Sequence, residues 1–486
     1  MTRPKPFVLC ILDGFGISPD WDANAVAQAN MPFWRALLQN YPNTQLDTSG
    51  HAVGLPAGEM GNSEVGHITI GSGRVVDQFL RRFERARACG EVDASPALAG
   101  LAKTPGLVHI IGCMSDGNTH ASLNDTIYIM NQLIERGCKL CVHFISDGRD
   151  TPAKSAQTFV DRLLTEFGGK NVQFGTLVGR YYAMDRAGYL DRTKLAADAI
   201  DRGNDTKAVS LSDALAGAYA RGETDEFIKP ITIGNYAGID HKNDAVFIVN
   251  YRSDRMRQLV VMLHDAGIKN LFTMASMGDP LDGYIVPILP AIKTTETLGD
   301  IVEKAGLRQL RAAESEKFNH ITYFFDSERK IDYTGEEKIN IPSPQVKTFD
   351  LMPEMCAGQL TDAVMERLDK FDFIVMNYAN GDSVGHMAKL QPTIQALEFL
   401  DGCLARLVPA VQKLGGGLMI ISDHGNAENT NITSHTTNPV PCVFVMDKAL
   451  PLKSCLGLSS VAPTILEVLG LPQPAAMTGE SLIKKE

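Results

Sequence analysis

The sequence predicts an α/β protein with mostly parallel sheets, divided into two domains. Three observations carry this reading. Short apolar runs end abruptly in Asp, Gly, Ser or Asn. Longer segments of helical period lie between them, the alternation that builds parallel sheets covered by helices. The chain has 486 residues, more than one hydrophobic core ordinarily organises.

The elements follow in order. VLCIL stops at Asp13-Gly14, VHII leads to Ser115-Asp116-Gly117, and VHFI leads to Ser146-Asp147-Gly148. FIVMNYANGD occupies 373–382 and GLMIISDHGN occupies 417–426. Helical period marks 125–136 and 360–368 among the intervening segments. Ligands of parallel sheets collect at the carboxyl ends of the strands, which is where these carboxylates fall. The recurring Ser-Asp-Gly is too short to indicate a repeat, and no low-complexity stretch or flexible linker stands out.

Composition excludes several classes. Apolar residues make up 44% and charged residues 21%, the ordinary globular range. The longest apolar runs are far shorter than a membrane span. Residues 1–6 are polar and lack the sections of a signal peptide, so a cytoplasmic protein is expected. A net charge of −11 disfavours nucleic-acid binding, although local arginine clusters still suit a small anion. Cys138 and Cys141 form a C-x-x-C, readable as a redox or zinc pair or as two small apolar residues in a buried segment. No second C-x-x-C completes a zinc site, and the buried pair is the expectation.

Acidic and imidazole groups gather near strand ends. Asp13 follows the first strand, Asp382 and His386 form D-x-x-x-H, Asp423 and His424 are adjacent in SDHGN, and His435 precedes VPCVFV. Mixed carboxylate and imidazole donors suit Mn²⁺, Zn²⁺ or Fe better than Ca²⁺. Asp382 and His386 share a face if their segment is helical. Asp423 and His424 converge only from an irregular loop, and Gly425-Asn426 is loop chemistry. A lone Asp after a strand is commonly a cap or turn former, and the metal reading rests on the set.

Ser63 lies in the glycine-rich GEMGNSEVGH, residues 58–67. Glycines admit a phosphate to the backbone, and a metal would activate the hydroxyl as a nucleophile. A helix N-cap with Glu64 in the first turn fits the local sequence equally well.

GNSEVGH resembles the phosphoserine loop of the cofactor-independent phosphoglycerate mutases, members of the alkaline phosphatase superfamily. Further strings resemble that family in the same order: LDGFG at 12–16, SDGRDT at 146–151, GRYYAMDR at 179–186, NYRSDRMRQ at 250–258 and ESEKF at 314–318. IPSPQV at 341–346, DSVGH at 382–386, DHGNAE at 423–428 and HTTNPVP at 435–441 complete the series, which spans nearly the whole chain.

The resemblance implies an alkaline-phosphatase-like three-layer α/β/α domain at 1–76 and 291–486, with a second α/β substrate domain inserted at 77–290. It implies two Mn²⁺ per chain, one held by Asp13, Ser63, Asp423 and His424 and the other by Asp382, His386 and His435. Ser63 would take the phosphoryl group of 3-phosphoglycerate and return it to the 2-hydroxyl of bound glycerate, giving 2-phosphoglycerate. Lys317 matches a lysine that stabilises the transferring group; without the resemblance it reads as a solvated lysine. The substrate side is expected to comprise His120, Arg149, Asp150, Arg180, Arg186, Arg252 and Arg255, because the arginine fork suits carboxylate and phosphate. Asp150 and His120 are both candidates to carry the proton between hydroxyls. Domain closure and a monomeric state are expected as well.

The sequence also departs from the family. The insert loop reads SDGNTHAS, keeping His120 but replacing a second histidine, NGDSVGH lacks a usual Pro before Asp382, and the chain is somewhat short. Competing readings are a metal-dependent phosphatase or phosphopentomutase of the same superfamily, and an inactive scaffold. The match across the insert disfavours the first, and the filled ligand positions disfavour the second.

Overall fold

The computed structural model describes residues 3–278, 280–292 and 294–484. The chain divides into two compact units, one formed by residues 1–81 and 293–486 and the other by residues 82–292. These cuts fall slightly C-terminal to the borders drawn from the sequence.

The first unit is built on an eight-stranded sheet. Across it run Glu336–Ile341, Gln309–Glu314, Phe373–Tyr378, Phe7–Leu12, Gly417–Ile421, Val440–Val445, Asn43–Asp47 and Leu456–Gly457. Val440–Val445 is antiparallel to both neighbours, and the remaining pairs are parallel. The first strand shows why its run is wholly apolar. Phe7, Leu9 and Ile11 pack into one core with residues of the helices Leu298–Lys304 and Val461–Leu469. Val8, Cys10 and Leu12 pack into another with Pro32–Asn40, Ala357–Met365 and Leu390–Lys413. Both faces are covered, so strict alternation of polar and apolar residues is absent, as parallel sheets require. Each such side chain contributes about 1.5–3 kcal/mol on burial. A polar residue persists inside such a run only where it finds a partner, as Asn377 does.

The second unit repeats the plan, with an eight-stranded sheet in the order Ile285–Leu289, Leu271–Ala275, Ala245–Ile248, Leu107–Cys113, Lys139–Ser146, Val172–Gly179, Ile231–Ile233 and Lys207–Ala208. Among the described residues, only the pairing of Val172–Gly179 with Ile231–Ile233 is antiparallel in this sheet. The segment expected to be helical at 125–136 forms the helix Leu123–Glu135, capped by the Ser122 side chain on the Asp125 N–H. The segment expected at 360–368 forms Ala357–Met365, followed by a short 3-10 turn. Cys138 and Cys141 are buried and unpaired, which is the bland reading of the C-x-x-C. No helix among the described residues is long and apolar enough to cross a membrane.

Candidate active site

In the first unit, the carboxyl ends of neighbouring strands carry the chemistry. Asp13 follows Phe7–Leu12, and the Gly14 after it has φ of +71°. A Cβ at Gly14 would lie 2.7 Å from the Asp382 Cα, so the bare backbone is what lets the two aspartates approach. Asp382 lies in the helix Asn380–Gly385, and His386 is its C-cap, four residues on. Helical geometry brings His386 Nε2 to 3.2 Å from Asp382 Oδ1. Asp423 and His424 occupy the irregular loop after Gly417–Ile421.

Ser63 opens the helix Ser63–Ser72 as its first residue, and Asn62 is the N-cap, accepting from the Val65 N–H at 3.1 Å. The helix-cap alternative for Ser63 is therefore taken by its neighbour, and the Ser63 hydroxyl is free for other work. Ser63 Oγ lies 2.7 Å from Lys317 Nζ, 2.9 Å from His424 Nε2 and 3.3 Å from Asp13 Oδ1. Lys317 Nζ also donates to Asp13 Oδ1 at 2.7 Å and to Asp382 Oδ2 at 2.6 Å. Lys317 is thus buried and fully engaged, not solvated.

The donor set fits cations. Asp13, Asp382 and Asp423 are buried, and the one Lys317 ammonium touches the first two of these carboxylates. Burial opposes the charge on Lys317, but Asp13, Asp382 and Asp423 outweigh it and hold the lysine protonated. Burial and then Asp423 push the Asp13 carboxyl up, against the pull of Lys317. Asp423 is held well below the usual carboxylate range despite its burial, by His424, His67 and Lys317.

The histidines agree. Nδ1 of His386 donates to the Thr433 carbonyl at 2.7 Å, and Nδ1 of His435 donates to the Gly61 carbonyl at 2.9 Å. A carbonyl only accepts, so in the neutral rings both Nε2 atoms carry bare lone pairs. Those two atoms face one another at 3.1 Å, and each lies 3.2 Å from Asp382 Oδ1. Three electron-rich atoms at such spacing call for a proton or a metal between them. Orientation of a ligating imidazole through its other nitrogen is the usual arrangement around a metal.

Three residues that sequence reasoning did not single out support this site. Asn377, inside the buried strand Phe373–Tyr378, donates to Asp13 Oδ2 at 2.7 Å and to His67 Nε2 at 3.1 Å. His67 Nδ1 donates to the Ser63 carbonyl at 2.8 Å and faces Asp423 Oδ2 at 3.3 Å. Both ring nitrogens of His67 are therefore occupied, and the ring ties the Ser63 carbonyl, Asn377 and Asp423 together. Asn426 donates to Asp382 Oδ1 at 2.9 Å. His67 stands four residues after Ser63 in GNSEVGH, one helical turn away, which was the available signal.

In the second unit, His120, Arg149, Asp150 and Arg180 gather at the carboxyl ends of Leu107–Cys113, Lys139–Ser146 and Val172–Gly179. Arg180 Nη1 donates to Asp150 Oδ2 at 2.5 Å. His120 Nε2 lies 3.7 Å from the same oxygen, beyond a hydrogen bond, and its Nδ1 is buried without a partner. Burial, with Arg180 and Arg252 adding to it, pushes the His120 imidazole down to about 4, so the ring is neutral at pH 7. Arg149, Arg180, Arg186 and Arg255 line one cavity of about 370 Å³. Arg192, which the sequence did not flag, lines it too, stacked on Tyr181 and Tyr189 at 4.2 and 3.9 Å from the ring centroids. Arg252 stands beside Asp254 at 3.7 Å, and Arg186 pairs with Asp254 at 3.1 Å.

The second unit holds one more group of ligand-type side chains, His109, Cys141 and His143. Its nitrogens are spent on hydrogen bonds. Thr176 Oγ1 lies 3.0 Å from His143 Nδ1, His143 Nε2 lies 2.9 Å from His109 Nδ1, and His109 Nε2 lies 3.1 Å from Asp244 Oδ2. One directional chain of neutral rings satisfies every member, so it reads as a buried polar network.

A model of the Metalloenzyme superfamily matches residues 5–473, so the chain belongs to a superfamily of metal-dependent enzymes. The 2,3-bisphosphoglycerate-independent phosphoglycerate mutase of Gluconobacter oxydans is 41% identical over 507 residues, covering 99% of each chain. That of Moorella thermoacetica is 40% identical over 510 residues, again covering 99% of each. The chain is a member of the 2,3-bisphosphoglycerate-independent phosphoglycerate mutase family. A crystal structure of Leishmania mexicana phosphoglycerate mutase, obtained at low cobalt concentration, shares the fold with a TM-score of 0.76 and 28% identity, covering 100% of this chain and 98% of that one.

Proposed function

We propose that this enzyme interconverts 3-phosphoglycerate and 2-phosphoglycerate without 2,3-bisphosphoglycerate, through a phosphoserine at Ser63. The observation that carries the reading is the surroundings of Ser63 Oγ: at a helix N-terminus, with Lys317 Nζ at 2.7 Å and His424 Nε2 at 2.9 Å. Two Mn²⁺ are the proposed cations, one held by Asp13, Ser63, Asp423 and His424 and the other by Asp382, His386 and His435. Bound there, they lower the pKa of the serine hydroxyl and neutralise charge on the transferring group.

The protein's own groups do the rest. Ser63 Oγ attacks phosphorus while the bond to the 3-oxygen of the substrate breaks, and that oxygen gains a proton. The Lys317 ammonium stabilises the charge that builds on the phosphoryl oxygens. The arginines of the second unit hold the glycerate carboxylate and keep the intermediate from leaving. The 2-hydroxyl then loses its proton, attacks the phosphoserine, and Ser63 is released. Asp150 is the proposed proton carrier, with His120 as its neutral neighbour. The proposal includes a monomer acting on a small molecule, in the cytoplasm. Nine unpaired cysteines suit a reducing compartment.

The test is metal-stripped protein incubated with 3-phosphoglycerate, with and without Mn²⁺, in the absence of 2,3-bisphosphoglycerate. Formation of 2-phosphoglycerate only with Mn²⁺ is expected. Release of free phosphate instead would move the assignment to a phosphatase.

A further inference from the structure

We infer that Asp147 is a positioning residue of the substrate side, whose one carboxylate sets the geometry of Arg149, Asp150 and Arg180 together. The inference rests on the reading of those three as substrate contacts. Asp147 stands at the carboxyl end of Lys139–Ser146 and is 4% exposed. Its Oδ1 accepts from the backbone N–H of Arg149 at 3.2 Å, from that of Asp150 at 3.0 Å, and from Arg180 Nη1 at 2.7 Å. Its Oδ2 accepts from Ser115 Oγ at 2.7 Å, at the end of the adjacent strand Leu107–Cys113.

The same Arg180 nitrogen is shared with Asp150 Oδ2 at 2.5 Å. Asp147 therefore fixes Asp150 twice, through its backbone amide and through the guanidinium its side chain meets. Burial opposes the charge on Asp147, but the Asp150 amide, Ser115 and Arg180 outweigh it and keep the carboxyl below its usual range. The group stays ionised, accepts four hydrogen bonds, and has its acceptor capacity filled by the protein.

Two of the four bonds form an Asx turn, which a purely structural residue would also make. Arg180 and Ser115 lie outside that turn, and they distinguish the readings. Asp147→Asn keeps an oxygen for the two amides and an NH₂ that can donate to Ser115 Oγ, but removes the charge facing Arg180. The experiment measures kcat and KM for 3-phosphoglycerate, thermal midpoint and Mn²⁺ content in wild type, Asp147→Asn, Arg180→Ala and the double variant. Asp147→Asn is expected to lower kcat/KM about tenfold, with midpoint and metal content held, as loss of a charge-assisted bond does. In the Arg180→Ala background the same change is expected to cost less than about twofold, because the group it positions is gone. A kcat/KM within about twofold of wild type, a midpoint loss that accounts for the effect, or full multiplication in the double variant would overturn the inference. Wild type that turns over no 3-phosphoglycerate would instead remove the proposed function, and this inference with it.

Discussion

Glu314 shows how much a single buried group can encode. It closes the strand Gln309–Glu314, is fully buried, and accepts from the Cys356 N–H at 3.0 Å through Oε1, while Oε2 has no partner. Burial pushes its carboxyl up to about 7. The folded state therefore binds a proton that the unfolded state, with an ordinary glutamate near 4.5, releases. Stability from this group is complete below about pH 4.5 and is lost as pH rises through about 7. Glu314→Gln mimics the protonated form, so metal-free variant and wild type should diverge between pH 5 and 8, by up to about 3 kcal/mol in favour of the variant. Denaturant unfolding at both pH values checks this, and parallel curves would contradict it. At this scale the sequence was partly legible. Ser63, Asp13 and the other site residues stood out by type and by the strings around them. Asn377, His67 and Asn426 did not, because their role is to orient a neighbour, and which neighbour they meet is settled by tertiary approach. Asp147 lay in plain view inside SDGRDT, yet only Arg149 and Asp150, two and three residues on, were assigned a role.

At the scale of elements, the helix Ser63–Ser72 carries the site by being packed tightly. Nine of its ten residues are buried, far more than an amphipathic surface helix buries. Gly66 is the reason it can come so close to the loop of Asp423 and His424. A Cβ there would lie 2.9 Å from the Asp423 carbonyl oxygen and 3.0 Å from the Asp423 Cβ. Gly66→Ala therefore has to push either Ser63 or Asp423 out of place, at a cost of about 1–3 kcal/mol. A lower thermal midpoint together with reduced Mn²⁺ retention is expected; a variant that keeps both would show that the loop yields freely. The sequence displayed this segment as glycine-rich and offered nucleophile and cap as equal readings for Ser63. The cap proved to be Asn62, one residue earlier, a distinction of register that local composition does not resolve. The antiparallel strand Val440–Val445 was equally hidden, since a buried strand reads as the same apolar run in either direction.

Across the whole molecule, two parallel-rich sheets each gather charged and imidazole side chains near strand carboxyl ends, with Ser63 brought to the first by its helix. The first collects carboxylates, imidazoles, a serine and a lysine; the second collects arginines with an aspartate and a neutral histidine. That division explains why the α/β class was readable from the alternation of apolar runs and helical segments. The discontinuous make-up of the first unit was not, because chain order says nothing about which strands share a sheet. Only the resemblance across many strings suggested it. The central claim is that the phosphoryl group passes through Ser63. The direct measurement is rapid acid quench of the Mn²⁺-loaded enzyme with 3-phosphoglycerate labelled in its phosphoryl group, followed by peptide mapping. Label on the Ser63 peptide of wild type, carried on to 2-phosphoglycerate and absent from Ser63→Ala, is the expected result. Formation of labelled 2-phosphoglycerate by Ser63→Ala at the wild-type rate would contradict it.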